Sequence, residues 1–123
     1  MKKKPRITVI TPSFNQGNFI KETIESVLGQ SYPDLEYLVM DGGSTDNTVE
    51  VIADYSDRIR YVRTENGGPA RARNVGMAMA RGEYICWLDS DDFFHQAKLA
   101  LQSAVLDVHP DVAMVCTECS GFD

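Results

Sequence analysis

Long apolar runs are missing from this chain of 123 residues. A bilayer span needs roughly 20 consecutive apolar residues, and nothing here comes close. The start is basic, but only residues 7–10 are apolar before Pro12, Asn15 and Gln16 intervene, which excludes a secretory leader. A soluble, cytoplasmic chain is expected, with membrane association left to any longer natural form. Cysteine is scarce as well, at three residues, Cys86, Cys116 and Cys119. An odd, sparse set suits a reducing compartment. Cys86 sits in an apolar run as a small core residue. Cys116 and Cys119 form a C-x-x-C pair, yet no second pair completes four zinc ligands, and no histidine pair does so. Positive charge is also short: 12 Lys and Arg face 18 Asp and Glu, for a net charge of −6. That balance excludes a general nucleic-acid binder, because phosphate backbones select basic faces. A polyanionic ligand would need a metal ion or a local arginine cluster.

What remains is a globular composition, 43% hydrophobic and 24% charged, of a length that suits one domain. No repeat, linker or low-complexity stretch interrupts it. Strand and helix signals alternate. A β-branched run at 7–10 reads as a strand that breaks at Pro12. Phe19, Ile20, Ile24, Val27 and Leu28 keep the 3.6-residue spacing of a helix face, with Asn18 as N-cap and Gly29 then Pro33 as the stop. A second strand at 37–40 ends at Asp41-Gly42-Gly43. A shorter helix with Val49, Val51, Ile52 and Tyr55 is capped within 44–47. A third strand at 59–62 precedes a helix that begins near Pro69, a favourable first-turn residue, and runs to about Arg81-Gly82. A fourth strand at 84–88, a helix at 96–108 and a fifth strand at 112–116 complete the pattern. Apolar strands separated by helices predict an α/β fold, a mostly parallel sheet with helices on both faces. Its ligands bind beyond the carboxyl ends of the strands, where the polar loops 11–17, 41–47, 65–69 and 89–92 fall.

The strongest chemical signal is Asp89-Ser90-Asp91-Asp92. Three carboxylates so close repel one another unless something compensates, and positions i and i+2 of extended chain point the same way. Magnesium or manganese would take one or two of them and find its other ligands in water and substrate phosphates. A helix N-cap with acidic neighbours is the plainer alternative, which explains one Asp well and three poorly. Asp41 before Gly42-Gly43 can accept a hydrogen bond from a base or a ribose, or can simply start a turn. Arg71 and Arg73 sit near a helix N-terminus, where cations oppose the dipole. A bound diphosphate would compensate, and so would pairing with the acidic cluster.

These pieces, in this order, resemble the family 2 glycosyltransferases with their GT-A fold. The matching segments are VITPSFN (9–15), IESVLGQSY (24–32), VMDGGSTD (39–46), ARNVG (72–76) and GEYICWLDSDD (82–92). They cover nearly the whole chain to about residue 95, and the combination is specific although no single motif is. The resemblance implies that Thr11, Pro12 and Asp41 hold the nucleotide base, usually uracil. It assigns Asp89, Asp91 and Asp92 to the metal on the diphosphate, with Asp89 also contacting the nucleotide, and Arg71 or Arg73 to the nucleotide as well. Gly42 stands where many members carry a second Asp, a familiar variant. The implied cofactor is Mn2+ or Mg2+. The implied partners are a nucleotide-sugar donor and a carbohydrate or lipid-linked sugar acceptor, as in polysaccharide biosynthesis.

The resemblance further implies metal-dependent displacement at the anomeric carbon by an acceptor hydroxyl, with inversion. A whole domain of this family is about twice as long, and its second half supplies the acceptor site and the catalytic base. Residues 1–123 are therefore expected to be the nucleotide-sugar-binding part, with no catalytic base of their own and with exposed apolar surface that favours self-association. Two other classes compete. A nucleotide-binding module without catalysis would share every binding residue. A signalling receiver domain would need acidic residues just after the first strand, where this chain has Thr11-Pro12-Ser13.

Overall fold

A computed structural model describes residues 4–65 and 67–121. Eight elements follow one another in strict alternation: β1 (Ile7–Ser13), α1 (Ile20–Leu28), β2 (Leu35–Asp41), α2 (Thr48–Ala53), β3 (Arg60–Arg63), α3 (Gly68–Met79), β4 (Tyr84–Trp87) and α4 (Lys98–Val108). The strands form one all-parallel sheet in the order β3-β2-β1-β4. The expected α/β architecture is therefore present.

Alternation of side chains divides the core into two layers. On one face Ile7, Val9, Tyr37 and Val39 meet Ile20, Ile24 and Val27 of α1, Ile52 of α2 and Leu99 of α4. On the other, Ile10, Leu38 and Met40 meet Ala72, Val75 and Met79 of α3. Helices thus cover both faces. The third crossover reverses the direction of winding, because β4 pairs with β1 rather than extending the sheet beyond β3. The carboxyl ends of β1 and β4 flank that switch point, the usual crevice for a ligand in such sheets.

β1 does not break at Pro12 but continues to Ser13, pairing Pro12 with Met40. Proline is tolerated in this central strand for a geometric reason. Even-numbered residues of β1 bond towards β4, as the Leu88 N–H donating to the Ile10 carbonyl shows at 3.1 Å. Pairing with β4 ends at Ile10 and Trp87, so the N–H that Pro12 lacks would face no partner strand.

Three further expectations need correction. The residue at the N-cap of α1 is Phe19, not Asn18, and it makes no side-chain cap. The Phe19 and Ile20 N–H groups instead donate to the Gln16 carbonyl, both at 2.9 Å. α3 stops at Met79, short of Arg81-Gly82. The Arg81 N–H donates to Glu36 Oε1 and the Gly82 N–H to Thr8 Oγ1, each at 2.8 Å, which draws the backbone away from the helix axis. The fifth strand expected at 112–116 is not formed. The chain there is irregular, and Ala113, Met114 and Cys116 face β4 and α4 across a cavity of about 530 Å3 instead of pairing with β4. Cys86 is half-buried, as expected of a core thiol, and burial pushes its pKa up. Cys116 and Cys119 are exposed thiols. Among the described residues no helix is long and apolar enough to cross a membrane.

At the amino edge of the sheet lies a buried carboxylate that no motif flagged. Glu36 accepts from Thr8 Oγ1 at 2.9 Å, from the Arg81 backbone, and from Arg81 Nε at 3.0 Å and Arg60 at 3.3 Å. Burial alone would raise its pKa, but these donors outweigh burial and hold it below the ordinary value of 4.5. A carboxyl group lowered on folding stabilises fully above the unfolded value and ceases to do so as pH falls through the folded one. Glu36→Gln should therefore be less stable than the parent at neutral pH, with the gap closing as pH falls below the ordinary glutamate range. Urea unfolding at a series of pH values checks this. A gap of constant size would show that the carboxylate charge is not what matters.

Candidate active site

Asp41, the last residue of β2, is fully buried. An ionised carboxylate in that position has to find donors within the protein, and it does. Its Oδ1 accepts from Ser44 Oγ at 2.5 Å and from the Ser44 N–H at 3.1 Å, and its Oδ2 accepts from the Tyr61 hydroxyl at 2.7 Å. Burial first, then this bond to Asp41, pushes the Tyr61 phenol up to about 12. Gly43 turns the chain here with φ at +90°, a conformation that glycine adopts without steric cost. Gly42 is different, since an added Cβ would meet only ordinary contacts with Ser13 and Phe14. Glycine is therefore not required at that position by the space around its Cβ.

Asn15 joins this corner to β1. It adopts a positive φ of 53°, and its Oδ1 accepts from the Thr45 and Asp46 N–H groups at 2.8 and 3.3 Å. Its own N–H donates to Ser44 Oγ at 2.9 Å. Asn47 is the N-cap of the next helix but makes no side-chain cap; Asp46, just before it, accepts from the Thr48 N–H at 3.0 Å and from the Gly17 N–H at 3.1 Å. The loops after β1 and β2 are thereby stapled together. Thr11 and Pro12 lie within this corner and are buried, and Thr11 Oγ1 bonds the Tyr37 hydroxyl at 2.8 Å. A cavity of about 500 Å3 opens beside it, lined by Gly42, Gly43, Arg63, Thr64 and Glu65.

The acidic loop follows β4. Asp89, Asp91 and Asp92 are exposed, whereas Ser90 is buried. Partial burial, then the charges of Asp91 and Asp89, raise the pKa of Asp92. Arg73 answers only part of that charge, pairing with Asp89 at 2.5 Å. Arg71 turns elsewhere, 4.0 Å from Glu65, with both side chains well exposed. Positions i and i+2 of a helix do not share a face, which separates two arginines that the pattern alone could not rank. Asn66, in the loop leading to them, lies outside the described residues.

Among the described residues no three His, Cys, Asp or Glu side chains converge into a metal cage. The acidic loop nevertheless fits a hard divalent cation in kind. It offers exposed carboxylate oxygens in excess of the single arginine beside them, the donor set of an ion that completes its shell with water and phosphate. The Asp41 corner and the acidic loop thus share one sheet edge, on either side of β1. Asn15, Ser44, Tyr61 and Arg63 were not singled out as site residues from sequence. Only the positions of Asn15 and Ser44 inside motif segments could have suggested them.

Removing the Tyr61 hydroxyl leaves a buried carboxylate oxygen short of a donor, which costs about 1–3 kcal/mol. Tyr61→Phe should therefore lower the free energy of unfolding in urea by about that amount. No change would mean that water or Ser44 can replace the phenol.

Comparison with known proteins adds an independent line. The glycosyl transferase family 2 model matches residues 8–121. TuaG of Bacillus subtilis, provisionally named a teichuronic acid biosynthesis glycosyltransferase, is 43% identical over 103 residues, which make up 80% of this chain and 41% of that protein. TarS of S. aureus, solved in complex with UDP, superimposes with a TM-score of 0.81 at 32% identity, over 85% of this chain and 33% of its own. A mannosyltransferase of Pyrobaculum calidifontis, solved with GDP-Man and Mn2+, gives a TM-score of 0.77 at 31% identity, over 85% of this chain and 33% of that one. The chain thus spans well under half the length of these relatives. On the match of nearly its whole length, this chain belongs to glycosyl transferase family 2.

Proposed function

We propose that residues 1–123 bind the nucleotide and diphosphate of a nucleotide-sugar donor, with UDP as the nucleotide, within a longer inverting glycosyltransferase. The observation that carries this reading is the placing of three exposed carboxylates within four residues, Asp89, Asp91 and Asp92, on the loop after β4, at the same sheet edge as the Asp41 corner. Crowded carboxylates cost free energy in the empty protein, and a cation–diphosphate ligand recovers it. The UDP complex of TarS supports the choice of nucleotide.

In this reading Asp91, Asp89 and Asp92 hold Mn2+ or Mg2+. When bound, that ion supplies positive charge against the diphosphate as it departs. Asp89 also faces the ribose, and Arg73, already on Asp89, can turn its remaining N–H donors to the nucleotide. Arg71, the more exposed of the two, is the alternative. Thr11, Pro12 and Asp41 form the base end. Since all three are buried, a base would reach Asp41 only by displacing Ser44 or Tyr61, or would lie against the backbone of Gly42 and Gly43. The chemistry is displacement at the anomeric carbon by an acceptor hydroxyl, with inversion. A carboxylate base takes the hydroxyl proton, and that base lies outside residues 1–123. The acceptor is a carbohydrate or a lipid-linked sugar. A nucleotide-binding module without turnover remains the second reading, favoured by the chain's short span of its relatives.

Three outcomes test these statements. Asp91→Asn should abolish the manganese-dependent part of UDP binding in calorimetry while the fold stays intact, and UDP bound equally well in chelator and by the variant would refute the metal reading. Asp41→Ala should weaken UDP and uridine alike, by about 1–3 kcal/mol, while hardly altering binding of manganese pyrophosphate. Equal losses for uridine and pyrophosphate would move Asp41 to the metal. This chain alone should bind UDP yet transfer no sugar, and robust multiple turnover from UDP-sugars would reveal a base within residues 1–123.

A further inference from the structure

The acidic loop and the segment after it make few backbone hydrogen bonds of their own. Between the end of β4 at Trp87 and the start of α4 at Lys98 the chain has no regular ladder. Such a segment must find its partners elsewhere, and α1 and the residue just past its C-cap supply them. Thr23 Oγ1, in a side chain only 1% exposed, lies 2.6 Å from the Asp92 carbonyl and 3.0 Å from the Ser90 carbonyl. Ser26 Oγ accepts from the Phe94 N–H at 3.1 Å while donating to the Thr23 carbonyl at 2.8 Å. Gln30 Nε2 donates to the His95 carbonyl at 2.8 Å, and Gln30 Oε1 accepts from the Leu99 N–H at 3.1 Å. Thr23 has a single O–H, which the nearer Asp92 carbonyl takes in full or shares with that of Ser90, while Ser26 and Gln30 use separate donors and acceptors.

Thr23 and Ser26 lie one turn apart on one face of α1, beside the buried apolar positions Ile20, Ile24 and Val27, and Gln30 follows just past the C-cap at Gly29. These side chains grip the inner side of the loop, where Ser90 is buried, and leave the three aspartates on the outer side. Thr23 is the critical member. Its single O–H lies between the carbonyls of Ser90 and Asp92, donating to the nearer, Asp92, at 2.6 Å, and so anchors the backbone on the far side of Asp91. Mutual repulsion among the carboxylates would otherwise open the loop.

We propose that Thr23, Ser26 and Gln30 are positioning residues that hold the Ser90–Asp92 backbone in place, and so set how Asp89 and Asp91 are presented to the diphosphate of the donor. This inference rests on the functional reading above and adds to it three side chains that touch neither nucleotide nor cation. Groups that orient ligating side chains typically change affinity about 10–100-fold when removed. Thr23→Val keeps the shape of the side chain and deletes only the hydroxyl, and Thr23→Ser restores it.

The experiment measures binding of UDP in manganese, of UDP in chelator and of uridine, by calorimetry, for the parent chain and both variants. Thr23→Val should lose about tenfold in UDP affinity in manganese, with uridine binding unchanged, and Thr23→Ser should recover the loss. Amide exchange should quicken at 92–95 in Thr23→Val and remain as in the parent in α3. Should Thr23→Val fail to fold, Ser26→Ala carries the same comparison, with faster exchange at the Phe94 amide. Parent-like affinity for UDP in manganese would overturn the inference, and so would parallel losses of UDP and uridine, which mark general loosening. A parent chain indifferent to manganese would refute the functional reading itself, and the inference with it.

Discussion

A carboxylate with no access to water has to be hydrogen-bonded, and the carboxyl edge of this sheet is organised around one such group. Asp41 takes its donors from Ser44 and Tyr61. Those bonds tie the end of β2 to the turn that follows it and to β3. Ser44 then accepts from Asn15, and Asn15 in turn secures Thr45 and Asp46. Asp46 continues to Gly17 and Thr48. One buried carboxylate thus sets a chain of polar contacts that fixes two loops relative to each other. Networks of this kind are worth most when every member is satisfied, and here each named group has its partner.

The other half of the edge obeys a different rule. Exposed carboxylates on the acidic loop are held apart from the core, and their backbone is secured from behind by α1 and by Gln30 just past it. Charge there is left in excess, because Arg73 neutralises only Asp89. The Asp41 corner is thus internally satisfied, whereas the acidic loop is geometrically held but electrostatically incomplete.

Glu36 at the amino edge shows that a buried acid need not mean function. It resembles Asp41 in burial and in its set of donors, yet it lies at the other end of β2, far from the loops. Its role is to close the return from α3 into β4, where Arg81 and Gly82 are drawn down to Glu36 and Thr8. An added Cβ at Gly82 would approach the Thr8 backbone nitrogen to 2.5 Å, so only glycine permits this passage.

Sequence alone determined the order of strands and helices, the parallel sheet and the clustering of polar loops, because these depend on local periodicity and on the short reach of each connection. It also determined family membership, since motifs such as VMDGGSTD and WLDSDD record the loops directly. Element ends were less legible. β1 runs through Pro12 because β4 is too short to require its N–H, a fact about a neighbour rather than about residues 7–13. The run at 112–116 has the composition of a strand but no strand pairing within the described residues. Tertiary structure alone decided that Arg73 and not Arg71 meets Asp89, that Asp41 is buried among donors, and that Thr23, Ser26 and Gln30 serve a loop more than 60 residues away. The physical reason is common to all three. Hydrogen bonds and charges are satisfied by whatever the fold brings within about 3 Å, and no pattern along the chain records those distances.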